Sequence, residues 1–205
     1  GKFEEISISG GDKLADLLAE GAAYYNSDNS AVSNDKVTSL TNVTVESHEH
    51  NGGTDGSGIC SICKKQMTAS LTVGSKTSWY VAFTSAIEAA NAADGEKTIT
   101  LYQDVNGYNN NYTLTRGPVT LATGEKTLQY ATLIAKGISL TVTGKGSGGS
   151  FNVTADGKDA ELNVSNADTK LAYVTAKNGG KLSLSNGTFS GVKVTDDGSS
   201  ASLSG

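Results

Sequence analysis

This 205-residue chain contains only two histidines and two cysteines. All four fall between residues 48 and 63, as His48-Glu49-His50 and Cys60-Ser61-Ile62-Cys63. Two imidazoles and two thiolates make the nitrogen and sulfur set that tetrahedral zinc prefers. The intervening Gly52-Gly53 and Gly56-Ser57-Gly58 have almost no side chains able to build a core, so a metal clip would supply ordering that packing cannot. Four protein ligands also leave no open position for a catalytic water, so His48, His50, Cys60 and Cys63 read as the ligands of a structural Zn2+ knuckle. The His-first order departs from the usual finger spacing. Two other states stay open: a disulfide joining Cys60 to Cys63, or free thiols beside two solvated histidines. No βαβ pattern surrounds the Cys-x-x-Cys pair, which argues against a redox role.

Two further groups of residues carry chemistry. Tyr102, Tyr108, Tyr112 and Asn110, in the longest apparent insertion between repeats, form a candidate glycan contact, because aromatic faces and amides suit sugar rings. Asp156, Asp159, Asp168, Asp196 and Asp197 are the carboxylates a glycosidase would need in pairs. They sit mostly in Gly-flanked turns, where aspartate bonds its own backbone, and no positioned histidine, arginine or lysine accompanies them. The repeated acidic pattern of calcium-binding β-rolls is absent. The reading is therefore not an enzyme.

The elements that must position these residues are set by a repeat of about 21 residues running from Ile99 to the end of the sequence. Leucine recurs at 101, 121, 140, 162, 182 and 203. A second stripe lies half a period away, at Phe151-Asn152-Val153-Thr154, Ala172-Tyr173-Val174-Thr175 and Val192-Lys193-Val194-Thr195. Self-similarity at this period means a solenoid, since one short coil buries its apolar face only when a neighbour stacks on it. The spacing shows no six-residue subdivision and so predicts an all-β, right-handed parallel β-helix of about six rungs. Leu140, Leu162 and Leu182 face inward in line, while Thr141, Asn163 and Ser183 face out. The exposed end of such a rod needs a cap, and residues 77 to 94 read as a capping helix, with Thr77 or Ser78 at its start and Trp79, Phe83, Ala86, Ile87 and Ala90 on its buried face.

Ahead of this lies a strand-helix-strand segment, residues 1–47. It comprises a strand from Phe3 to Ser9 with Phe3, Ile6 and Ile8 inward, a helix from Asp12 to Ala22, and a strand from Val37 to Val45. The expected division is thus 1–47, a knuckle-bearing connector 48–76, and a capped solenoid 77–205. Gly1-Lys2-Phe3-Glu4-Glu5-Ile6-Ser7-Ile8 echoes Gly187-Thr188-Phe189-Ser190-Gly191-Val192-Lys193-Val194, which predicts end-to-end contact between neighbouring repeat modules.

Composition agrees with this reading. Twenty-five glycines and one proline suit many short strands joined by tight turns. A net charge of -5 offers no basic field for phosphates, so nucleic acid and anionic membrane are poor partners, and no apolar run is long enough to cross a bilayer.

Taken together, the segment from Leu14 to Tyr25, the His-x-His and Gly-x-Cys-x-x-Cys pieces, Ile99-Thr100-Leu101-Tyr102-Gln103-Asp104-Val105 and Ser185-Asn186-Gly187-Thr188-Phe189-Ser190-Gly191 resemble the large adhesin-like surface proteins of gut-dwelling Gram-positive bacteria. That resemblance implies pectin-lyase-like β-helix repeats and an extracellular, cell-surface location, with signal peptide and wall anchor lying outside this sequence. The expected function is a non-catalytic surface module that displays or contacts host or bacterial surface glycan or protein. The alternative is a fragment of a polysaccharide-active lyase or glycosidase.

Overall fold

The computed structural model describes residues 2–7, 18, 22–28, 30–32, 39–53, 55–145 and 151–204. The chain forms two compact units, Gly1–Met67 and Thr68–Gly205.

In the first unit, β1 (Lys2–Ser7), β2 (Ala22–Tyr25) and β3 (Ser39–Ser47) form an antiparallel sheet in the order β1-β3-β2. Tyr24 and Val43 are buried with Leu18 and Ala22, and Ile6, Val32, Leu40 and Val45 pack on them. Phe3 is exposed and not buried as expected: it stands opposite buried Val43, but β1 is an edge strand with a neighbour on one side only, so its ring is not covered; Ile8 lies outside the described residues. The predicted Asp12–Ala22 helix lies largely outside the described residues. Leu18 sits in a bend, and Ala22 opens a strand rather than ending a helix.

The second unit is a right-handed parallel β-solenoid of about five turns. One face carries β6 (Lys97–Leu101), β8 (Val119–Ala122), β10 (Ser139–Thr143), β12 (Glu161–Val164), β14 (Lys181–Ser185) and β16 (Ser200–Ser204) as a parallel stack. The other carries β7 (Val105–Leu114), β9 (Leu128–Lys136), β11 (Phe151–Asp156), β13 (Lys170–Lys177) and β15 (Thr188–Val194). Five coils are thus complete, and β16 adds a sixth rung to the larger sheet.

Alternation of side chains drives the stacking: every second residue enters the core and its neighbour faces out. Leu140 pairs with Leu162 and Leu162 with Leu182, so these three leucines do lie in line. The leucine column breaks at both ends, however. Leu121 stacks on Ile99 and Val142, and Leu203 stacks on Leu184, a shift of one inward position. Corner threonines tie adjacent coils: Thr123 Oγ1 donates to Thr143 O at 3.1 Å, Thr169 Oγ1 to Gly144 O at 2.7 Å, and Thr195 Oγ1 to Ala176 O at 3.1 Å.

The solenoid starts on a hairpin that sequence reading missed. β4 (Ala69–Val73) pairs antiparallel with β6 and with β5 (Lys76–Tyr80). The two residues between them, Gly74 and Ser75, make the turn, with Gly74 at φ 58°. Thr77, Ser78 and Trp79 are therefore strand residues, and the helix α1 spans only Phe83–Ala92. Its buried face is the expected Phe83, Ala86, Ile87 and Ala90, and it packs on β4–β7 at the first coil. No side chain caps its start at Ala82; its end is held by Lys97, whose Nζ donates to Ala93 O and Gly95 O, both at 3.0 Å. On the last coil, Val192, Val194 and Leu203 remain exposed.

Candidate metal centre

His48 and His50 follow directly on the end of β3, where both are half-buried while Glu49 between them is exposed. Their rings meet edge to face, with centroids 4.9 Å apart. The thiols come from a tight loop. Cys60 N donates to Lys65 O at 2.9 Å and Lys64 N to Cys60 O at 3.0 Å, with Lys64 in the left-handed region at φ 60°. Met67 N closes the loop onto Gly58 O at 2.7 Å, and its own side chain is fully buried.

The four sequence-predicted ligands converge. Cys60 Sγ lies 3.4 Å from His48 Nε2 and Cys63 Sγ 3.7 Å from His50 Nδ1, and all four ligand atoms lie within 4.8 Å of one another. A tetrahedral zinc with bonds of about 2.3 Å to sulfur and 2.0–2.1 Å to nitrogen sets a sulfur-to-nitrogen edge of about 3.6 Å. The two observed edges bracket that value. Both cysteines are buried and unbridged, so the disulfide alternative is not the state seen.

Burial drives the Cys60 thiol pKa up, but backbone hydrogen bonds from Asn51, Cys63 and Ile62 outweigh it and bring the thiol below its ordinary value. Burial raises the Cys63 thiol, and repulsion from Cys60 adds to the rise. This is the electrostatics of two sulfurs sharing one site, and a divalent cation between them would stabilise both as thiolates.

Sequence reasoning missed Asn51. Its Oδ1 accepts from Ser61 N at 2.9 Å and from Gly53 N at 3.2 Å, tying the segment that carries the histidines to the loop that carries the cysteines. The available signal was an Asx-forming residue directly after His50.

The glycan patch read from sequence does not assemble. Tyr112 is buried against Phe83, ring centroids 4.9 Å apart, and Tyr102 packs on Trp79 at 4.8 Å. Only Tyr108 and Asn110 are exposed. Residue 112 points inward because β7 alternates and Tyr112 pairs with Leu133 of the next coil.

Two of the five candidate aspartates, Asp156 and Asp196, are engaged in turns and coil junctions, and Lys177 beside Asp156 is a positioned lysine that was not expected. Asp156 accepts from Asn178 Nδ2 at 2.6 Å and pairs with Lys177 at 3.2 Å; Asp196 accepts from Ser199 Oγ at 2.7 Å and from the Asn178 and Gly179 amides. No protein-family model, curated protein or solved structure matches this chain.

Proposed function

We propose that His48 Nε2, His50 Nδ1, Cys60 Sγ and Cys63 Sγ hold one structural Zn2+, and that the chain is a non-catalytic extracellular surface module, an adhesin-like or stalk segment that displays or contacts host or cell-surface molecules. The observation that carries the metal reading is the convergence of all four ligand atoms within 4.8 Å. Two sulfurs and two nitrogens select zinc over calcium or magnesium, which take oxygen. A tetrahedron filled by protein has no place for an activated water, so the ion's work is mechanical. Structural zinc in finger peptides binds with about 10–16 kcal/mol at neutral pH, ample to order a Gly-rich loop.

The display role is supported by a rod whose outward residues, such as Thr141, Asn163 and Ser183, are small and polar, and by the segments that resemble bacterial surface adhesins. The binding of Asp156 and Asp196 to turn groups favours it over the lyase or glycosidase reading.

One purified sample tests both halves. Elemental analysis is expected to find one zinc per chain, lost in Cys60→Ser, and polysaccharide depolymerisation assays are expected to show no turnover. A folded chain that takes up no zinc, or turnover abolished by Asp156→Asn or Asp196→Asn, contradicts the proposal.

A further inference from the structure

Three large tyrosines stand out on the outer face of the five-stranded sheet: Tyr108, Tyr130 and Tyr173, 79%, 52% and 59% exposed. Tyr130 and Tyr173 flank a shallow cavity of about 240 Å³ that is also lined by Asn109, Thr132 and Asn152. None of the residues lining the cavity carries a charge.

The backbone beneath is specially arranged. The β7–β9 ladder breaks between the pairs Asn106–Gln129 and Asn110–Ala131, so three residues of β7 stand opposite Tyr130 alone. Tyr108, Asn109 and Tyr130 all take left-handed backbone, at φ 46°, 66° and 52°. For a bulky aromatic this is a costly conformation, of the kind held where a side chain must be re-aimed. The bulge closes only because residue 107 is glycine: a Cβ there would lie 2.6 Å from Ala131 Cβ.

Tyr173 is seated by a second device. Its ring lies over Gly191 of the next coil, where a Cβ would come within 2.7 and 2.8 Å of ring carbons Cδ1 and Cε1. Asn152, which lines the cavity, is fixed by its Oδ1 accepting the Tyr173 amide at 3.2 Å. Tyr130 and Tyr173 belong to β9 and β13, two ladder steps apart, or about 10 Å along the rod.

We propose that this face binds a neutral oligosaccharide. The rings of Tyr130 and Tyr173 would stack on the apolar faces of two sugar units, while Asn109, Thr132 and Asn152 would exchange hydrogen bonds with hydroxyls that both donate and accept. An anionic ligand finds no cation among the lining residues, and a charged peptide no counterion. No carboxylate lines the cavity, so the sugar is held and not cleaved. This site shares no residue with the metal centre and stands or falls apart from it.

Calorimetric titration of the full chain with cellohexaose, mannohexaose, chitohexaose and the acidic hexagalacturonate tests the proposal. At least one neutral hexamer is expected to bind, more tightly than hexagalacturonate. Tyr130→Ala and Tyr173→Ala should each weaken binding about three- to tenfold, and Tyr173→Phe by less than about twofold. Gly191→Ala, which unseats the Tyr173 ring while keeping it, should reproduce the Tyr173→Ala loss. Both rings are exposed, so the melting temperature of the variants should match that of the parent. Binding of none of the neutral hexamers, preference for hexagalacturonate, or unchanged affinity in the Tyr130→Ala/Tyr173→Ala double variant overturns it.

Discussion

Individual side chains tie each coil or loop to the next. Asp104 accepts from Thr127 N at 2.8 Å and Thr127 Oγ1 at 3.0 Å, and these bonds hold its carboxyl pKa below the ordinary range. Asp156 is lowered in the same direction, first by its bond to Asn178 and then by Lys177, against the opposing effect of burial. A carboxylate whose folded pKa lies below its unfolded value stabilises the fold fully above the unfolded pKa, about 3.9, and loses that contribution as pH falls through the folded value. Carboxyl-carbon NMR titration should therefore place the midpoints of Asp104 and Asp156 below about 3.9. In urea melts, Asp104→Asn should lose less stability between pH 5 and pH 3 than the parent. Midpoints at or above the ordinary value contradict the assignment. At the metal centre the same reach belongs to Asn51, whose side chain ties the segment bearing the histidines to the loop bearing the cysteines.

Among the elements, α1 is held by its apolar face and, in addition, by Asn91. Asn91 Nδ2 donates to Thr113 O at 2.8 Å, and its Oδ1 accepts from Thr115 N at 2.8 Å and Thr115 Oγ1 at 3.3 Å. Asn91→Ala leaves the partly buried Thr113 carbonyl without this donor, while the exposed Thr115 amide turns to water, and should cost about 0.5–1.5 kcal/mol in urea unfolding. A loss near zero would mean that apolar packing alone holds the helix. The inward face of α1 was legible because Phe83, Ala86, Ile87 and Ala90 recur at helical spacing. Its start was not, because Thr77, Ser78 and Trp79 suit a cap and a buried stripe equally well; the tertiary pairing of β5 with β4 decides for strand. Coil period could be read from the leucines, but register could not. Val142 and Ile99 fill inward positions as well as leucine does, so the apparent leucine column slid by two residues at each end.

The whole chain combines two ways of reaching a stable fold. The solenoid unit buries a continuous column that includes Ile99, Leu121, Leu140, Phe151, Leu162 and Leu182. The Gly1–Met67 unit buries few large apolar side chains among its described residues and brings together the four side chains that could hold a metal. Those ligands were legible because the residue types are rare and clustered. The tyrosine platform was not, because its members lie on coils far apart in sequence and depend on a bulge and on Gly191. The central claim is that a bound zinc ion orders the loop between residues 48 and 67. Amide hydrogen exchange with and without a chelator tests it most directly. Removing zinc is predicted to speed exchange of Gly58, Cys60, Lys64 and Met67, whose amides bond within the loop, by about a hundredfold or more, while Glu161, Lys181 and Thr188 in the solenoid keep their protection. Equal protection of Cys60 and Met67 in the zinc-loaded and zinc-free protein would contradict it.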